Sequence, residues 1–315
     1  MGLIVKGKWV DKWYDTESSD GEFIRQESQF RSLISNVPGS RYKPEAGRYH
    51  LYVSLACPWA HRTLIFRELK QLQNIISVSV VEPQMLDKGW TFPAQGEDLY
   101  QLKHLFEVYL KADKHYQGRV TVPVLWDKKT QSIVNNESSE IIRIFNSAFN
   151  ELTGNNADYY PQDLRPEIDT VNERIYNDIN NGVYRAGFAA NQESYEKAYT
   201  ALFSSLDWLE ERLAVHRYLS GKKITEADWR LFTTLIRFDA VYHGHFKCNR
   251  QKLSEFKHIS AYLRELYQVP GIKGTINFEH IKTHYYNSHT MINPTGIVPL
   301  GPDLDFEAQH LRDLL

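Results

Sequence analysis

The chain has 315 residues, 42% of them apolar and 24% charged, and its formal net charge is −2. This is the make-up of a globular protein with one large domain or two ordinary ones. The near balance of charge gives no electrostatic case for nucleic acid or an anionic membrane surface, and no run approaches the roughly 18 apolar residues of a membrane span.

The N-terminus, Met1-Gly2-Leu3-Ile4-Val5-Lys6-Gly7-Lys8, returns to charge after three apolar residues, too few for a secretory leader. Gly2 invites a myristoylation reading, but Lys6 stands where Ser or Thr is wanted. The C-terminus lacks a Cys-containing prenylation box, so a cytoplasmic protein is expected. Residues 1–45 are polar and aromatic-rich and read as an extended N-terminal arm with short local structure. Arg48 to Ser54 alternates and carries strand formers. Cys57-Pro58 follows, and Trp59 to Leu72 has helical spacing, with Ala60, Leu64, Ile65, Leu69 and Leu72 able to share a face. Ile75 to Val81 is a second, β-branched strand.

A loop-rich stretch from Pro83 to about Tyr100 contains Gly89-Trp90-Thr91-Phe92-Pro93. A helical segment near Leu102 to Leu110 precedes the predicted strand Val120 to Trp126. Ser132 to Val134 reads as a short strand across from it. Asn135 to Glu140 supplies capping-type residues for a helix through Ile141 to Phe145. Pro161 and Pro166 mark a linker. Beyond it the pattern is helical almost to residue 282, with amphipathic stretches at Ala198 to Leu213, Trp229 to Val241 and Ile259 to Tyr267. The layout is an α/β domain followed by an all-helical one.

The chain has two cysteines, Cys57 and Cys248, too few for a disulfide scaffold or a four-cysteine zinc site. Cys57 lies between a predicted strand and a predicted helix. Its sulfur should sit where helix N–H groups and the helix dipole stabilise an anion. Pro58 suits the first turn, where its missing N–H would be unpaired anyway. Such settings lower a thiol pKa from about 8.5 toward 3.5–7.5. The competing reading, a buried inert cysteine, holds for Cys248, which has no such setting. Ala60 occupies the place of a resolving thiol three residues on, so a disulfide within the motif is excluded. Cys57 can form a mixed disulfide or attack a sulfur–carbon adduct, and an outside thiol must release it.

Val122-Pro123 confines the strand there to an edge or bend, and a cis bond is open to it. The strand edge beside it can pair with the backbone of a small peptide. A plain edge-strand proline fits this residue equally well. Ser138 and the helix N–H groups near it can bind a carboxylate, and Glu137 an α-ammonium group; ordinary helix capping accounts for the same residues. His243-Gly244-His245 lacks a nearby carboxylate or Cys cluster, and no metal is expected.

Strand–Cys-Pro–helix, then Val-Pro, then Glu-Ser, then a helical domain together resemble the glutathione transferase superfamily. Cys57, where many members have Ser or Tyr, narrows the resemblance to thiol-transferase-like classes. Longer strings narrow it again: Ser54 to Leu64, Gly89 to Phe92, Asn135 to Arg143, Asn180-Asn181-Gly182-Val183-Tyr184-Arg185-Ala186-Gly187-Phe188-Ala189, His284-Tyr285-Tyr286-Asn287-Ser288-His289 and Asn293 to Pro299. These are similar to the glutathionyl-hydroquinone reductases, the xi-class glutathione transferases, over about residues 35 to 303.

The resemblance implies an α/β thioredoxin-like N-terminal domain plus an all-α C-terminal domain. It divides the chain into an arm (1–45), a glutathione-binding domain (46–155), a helical domain (166–303) and a tail (304–315). It implies glutathione as cosubstrate, a glutathionyl-hydroquinone as substrate, and a homodimer. Cys57 would take the glutathionyl group and a second glutathione would free it as glutathione disulfide. Glutathione contacts map onto Trp90, Arg119, Val120, Thr121, Val122, Glu137 and Ser138. Tyr184 maps as proton donor, with Tyr242 and Tyr285 near the thiolate. The chemistry asks for such a donor independently, because cleaving a bond from sulfur to an aromatic ring requires a proton at the ring carbon. Tyr184 also stands out by its Gly-flanked setting within a helical region. Between Tyr285 and Tyr286 the residues themselves do not choose. Two other readings share parts of this pattern: an omega-like thiol transferase or dehydroascorbate reductase, and a non-catalytic glutathione-transferase-like binding module.

Overall fold

A computed structural model describes residues 2–16, 18–313 and 315. Met1 and Glu17 of the expected arm, and Leu314 of the expected tail, lie outside the described residues. The chain forms two compact units: 1–13, 26–157 and 275–296 make the first, and 14–25, 158–274 and 297–315 the second.

The arm begins with a hairpin. Leu3–Val5 (β1) and Lys8–Val10 (β2) pair antiparallel, with Val5 opposite Lys8. Lys6 and Gly7 form the two-residue turn with φ of 50° and 73°, the positive values that match the twist of paired strands. Strands of three residues are too short to show a period in the sequence.

The first unit is built on Tyr49–Val53 (β3). All five residues are buried. Buried His50 is satisfied by the hydroxyls of Ser77 at 2.7 Å and Ser79 at 2.9 Å, and burial pushes its pKa down to about 4, so the ring is neutral. After Pro58–Leu69 (α1), the chain returns as Ile76–Val80 (β4), parallel to β3 and in register from Tyr49↔Ile76 to Val53↔Val80. Met85–Leu86 (β5) and Gly89–Trp90 (β6) make a small hairpin. Leu105–Ala112 (α2) and Gly118–Arg119 (β7) follow, with β7 closing a three-stranded sheet against β1.

Val124–Asp127 (β8) lies antiparallel to β3, and Ser132–Asn135 (β9) antiparallel to β8, giving the order β4-β3-β8-β9. The strand predicted from Val120 therefore starts four residues later. The Val122–Pro123 bond is cis, and proline has no N–H to give a ladder. Ser138–Ser147 (α3) packs beside α1, and Asn150–Thr153 (α4) ends at Gly154 with φ 70°.

The second unit is helical. Arg165–Arg174 (α5) runs into wider π-type turns at Ile175–Asn180, then Gly182–Gly187 (α6) and the long Gln192–Val215 (α7). Glu226–Arg237 (α8) is buried along its whole length. Its start is fixed by Asp228, which accepts from Thr225 N, Thr225 Oγ1, Leu219 N and Tyr262 Oη. The predicted single helix through Val241 is instead α8 followed by π-type turns at Phe238–Tyr242. Lys257–Tyr267 (α9) packs on α7. The tail is tied down by buried Arg312, which donates to the carbonyls of Leu213, His216 and Arg217 at the C-terminal end of α7, whose last carbonyls lack helical partners. Phe278–Ser288 (α10) rejoins the first unit and packs on β5.

One buried ion pair anchors the far end of the central sheet. Arg48 Nε and Nη2 grip Asp127 at 2.8 Å and 2.7 Å. Burial pushes the Asp127 carboxyl up, but its bonds to Arg48 and Thr130 outweigh that and hold it below the usual range. The stabilisation from this carboxylate is thus complete above its unfolded pKa of about 4 and lost as pH falls through the lower folded value. Arg48→Met should strand the buried charge and cost about 3–5 kcal/mol in urea unfolding, against a change of under about 0.5 kcal/mol for an exposed control such as Lys88→Met.

Candidate active site

Sheet order brings four separate segments to one edge. β3 and β4 are parallel, so Val53 and Val80 end together, and the Val81 amide donates to the Val53 carbonyl at 2.9 Å. β8 runs the other way and begins at that edge, with Val124 opposite Tyr52. β9 ends there, with Asn135 opposite Leu125. The residues just beyond these four strand ends are Cys57, the β5–β6 hairpin, Val122-Pro123 and Glu137-Ser138. This is the carboxyl end of the parallel strands, where open α/β sheets place their ligands.

Cys57 is the N-cap of α1, with extended backbone (φ −76°, ψ 122°) and Pro58 in the first turn. Its carbonyl accepts the first helical bond from His61 at 3.0 Å, and its own amide is tied to the Ser54 carbonyl at 3.2 Å. The side chain is partly exposed. Sγ donates to the Val122 carbonyl at 3.7 Å. Only the protonated thiol can make that bond. On ionisation the sulfur becomes an acceptor, and the dipole of α1 favours the charge there. Cys248 differs on every count: it is fully buried, and burial pushes its thiol pKa up strongly.

The expected glutathione contacts all lie in the first unit. Thr121 is fixed through its backbone, its carbonyl accepting from Tyr109 Oη at 2.8 Å. Val120 and Val122 are buried beside it. Arg119 pairs with Leu3 in the small sheet. Its guanidinium donates to the carbonyls of Lys12 and Trp13, at 2.8 Å for Trp13, and so holds the arm. Glu137 is the N-cap of α3, accepting from Ser139 N at 3.1 Å and Ser28 Oγ at 3.2 Å. Ser138 is buried and accepts from Arg62 Nη1 at 3.4 Å, which links α1 to the start of α3. Trp90 is buried, its indole stacked on the His284 ring with centroids 4.8 Å apart.

The tyrosines divide between the units. Tyr285, on α10 in the first unit, is buried, with its ring edge-on to His289 at 5.5 Å. Tyr286 is half-buried. In the second unit, Tyr184 on α6 and Tyr242 in the π-type turns lie with ring centroids 6.0 Å apart, and the Arg25 guanidinium stands 5.2 Å over the Tyr184 ring. The Asn-Asn-Gly setting that singled out Tyr184 is the junction of a π-type segment with α6. Sequence reasoning missed His284 and Trp9 as supports of the site. No periodicity marks them, because each acts on a residue distant in sequence. Burial pushes His245 down to about 4, and among the described residues no group of three or more His, Cys, Asp or Glu is placed to hold a metal.

Residues 56–148 match the model of the glutathione S-transferase N-terminal domain, and residues 192–265 that of the C-terminal domain. The chain is 53% identical, over its whole length and 99% of the relative's, to the glutathionyl-hydroquinone reductase YqjG of Escherichia coli K12. The glutathione-bound structure of YqjG superposes with a TM-score of 0.88 at 54% identity, over 91% of this chain and 96% of that one. A xi-class glutathione transferase from Natrialba magadii superposes with a TM-score of 0.93 at 46% identity, over 100% of this chain and 97% of that one. The chain therefore belongs to the glutathione transferase superfamily, within the xi class of glutathionyl-hydroquinone reductases.

Proposed function

We propose that this protein reduces glutathionyl-hydroquinones to free hydroquinones with glutathione as reductant, and that Cys57 is the nucleophile. The observation that carries the reading is Cys57 at the N-terminus of α1, on the ligand-facing edge of the sheet, in a chain that matches a relative named for this reaction from end to end. The Cys57 thiolate attacks the thioether sulfur of the substrate. The carbon–sulfur bond breaks, its electron pair goes to the ring carbon, and a general acid protonates that carbon. Cys57 is left in a disulfide with glutathione. A second glutathione thiolate attacks this disulfide, leaves as glutathione disulfide and restores Cys57. Two glutathionyl sulfurs are oxidised and one ring carbon is reduced, so the electrons balance.

In this reading Tyr184 is the acid, and Tyr242 and Tyr285 donate to the thiolate. The extended backbone at Val120 to Val122, just before β8, pairs with the backbone of glutathione. Ser138 and the α3 N-terminus take its γ-glutamyl carboxylate, Glu137 takes the ammonium group, and Trp90 packs on the peptide. Arg119 contributes through its backbone, since its guanidinium is bound to the arm. The protein acts as a cytoplasmic homodimer, and the linear division at residues 45, 155 and 303 stands as part of the same proposal.

Iodoacetamide at neutral pH should alkylate Cys57 and spare Cys248, as read by peptide mass spectrometry; modification confined to Cys248 would reverse the assignment. Cys57→Ala should abolish release of hydroquinone from a glutathionyl-hydroquinone, and full activity in that variant would overturn the mechanism. Tyr184→Phe should lower kcat by about a hundredfold with glutathione affinity retained, and unchanged turnover would remove Tyr184 as the acid. Dehydroascorbate reduction that far outpaces the hydroquinone reaction would favour the omega-like activity instead.

A further inference from the structure

The hairpin that carries Trp90 has two strands of two residues each, joined by Asp87 and Lys88. A hairpin this short has no independent stability. Partners distant in sequence set its position. Trp9 of β2 donates from Nε1 to the Asp87 carbonyl at 2.8 Å, and its ring lies so close to Gly89 that a Cβ there would come within 2.5 Å of it. The remaining support comes from α10. Ser288 Oγ accepts from the Met85 amide at 2.9 Å. The His284 ring lies face to face with the Trp90 indole, with an interplanar angle of 22°. His284 Nδ1 is 2.9 Å from the Pro83 carbonyl. A carbonyl only accepts, so Nδ1 carries the ring hydrogen, and the ring cannot turn over without breaking that bond. Both rings are buried, at 4% exposure for Trp90 and 7% for His284.

We infer that His284 is a positioning residue for the reaction: clamped to the Pro83 carbonyl, it holds the Trp90 indole in the orientation that receives glutathione. The inference rests on the reading of Trp90 as a glutathione contact. It makes α10, almost two hundred residues later in the chain (His284 to Trp90 is 284 − 90 = 194 positions), a working part of a site otherwise built on strand ends. Without the clamp, the indole gains rotamer freedom that glutathione must remove on binding, so affinity falls. Cys57 is set by α1 and the Val122 carbonyl, not by the hairpin, so the chemical step should be little changed.

The test is calorimetric titration of glutathione into the full-length chain, with steady-state kinetics alongside. His284→Ala should weaken Kd about five- to tenfold, raise the KM for glutathione by the same factor, and leave kcat within about twofold. His284→Phe, which keeps a stacking ring but loses the donor to Pro83, should recover only part of the loss, and full recovery would overturn the role of the Pro83 bond. Trp90→Ala serves as the reference for losing the contact itself. Wild-type affinity in His284→Ala beside weakened binding in Trp90→Ala would overturn the clamp. No binding to the unsubstituted chain would overturn the glutathione reading itself, a failure read without any His284 variant. If His284→Ala does not fold, His284→Asn replaces it: Asn keeps a donor for Pro83 but loses the stack, so it should bind more weakly than His284→Phe, and equal affinities would overturn the inference.

Discussion

Parallel pairing of β3 with β4, Val53 against Val80, decides which segments of this protein gather at one edge of the central sheet. Two parallel strands must be joined by a crossover, here α1, so one strand end is followed directly by a helix N-terminus. Cys57 occupies that junction. Once β8 and β9 add antiparallel in the order β4-β3-β8-β9, the start of β8 and the end of β9 reach the same edge. A thiol, a backbone edge beside a proline and a second helix N-terminus then meet with no need for a long loop. The direct thiol contact is modest, a 3.7 Å bond to the Val122 carbonyl. Its significance lies in what it joins: two segments 65 residues apart, brought together by strand register.

The rest of the first unit braces this edge. Arg62 ties α1 to Ser138 at the start of α3. Tyr109 on α2 holds the Thr121 carbonyl. Arg119 anchors the arm at Lys12 and Trp13, and Trp13 approaches His289 edge-on at 6.2 Å. His284 and Trp9 steady the Trp90 hairpin. Each brace is a polar or aromatic contact between separate elements of the first unit. The second unit uses a different device. A helix buried along its whole length, α8, has its N-terminal amides satisfied by Asp228 and Thr225, and α7 has its last carbonyls satisfied by Arg312.

Particular elements show where sequence reasoning was sufficient. The strand at 49–53, α1, β4 and the strand at 132–135 follow from runs of strand-forming residues and from helical spacing, although β3 proves buried on both faces. The Cys-Pro junction was legible too: a strand ends, proline suits a first turn, and a cysteine lies between. The β5–β6 and β1–β2 hairpins were not legible, since strands of two or three residues have no period. Pairing at residues 120–123 is expected and is absent, because Pro123 has no N–H to give a ladder and β8 begins at Val124. One helix through Val241 was expected, and the backbone changes to π-type turns at Phe238. Side-chain periodicity barely distinguishes 3.6 residues per turn from slightly more over five residues.

The sequence by itself determined the fold class and the placing of a cysteine between a strand and a helix with no second cysteine three residues on, since Cys57, Pro58 and Ala60 are adjacent or nearly so and their pattern is local. It also carried the family, through strings spread along the chain. Only the tertiary structure decided which partners the side chains of the first unit take. Arg119 is turned to the arm, Ser138 is joined to Arg62, and Trp90 is stacked on His284. These pairs are 106, 76 and 194 residues apart, the last from the positions 284 and 90. No local pattern encodes which side chains meet across such distances. That is set by strand order and helix packing, which exist only once the chain has folded.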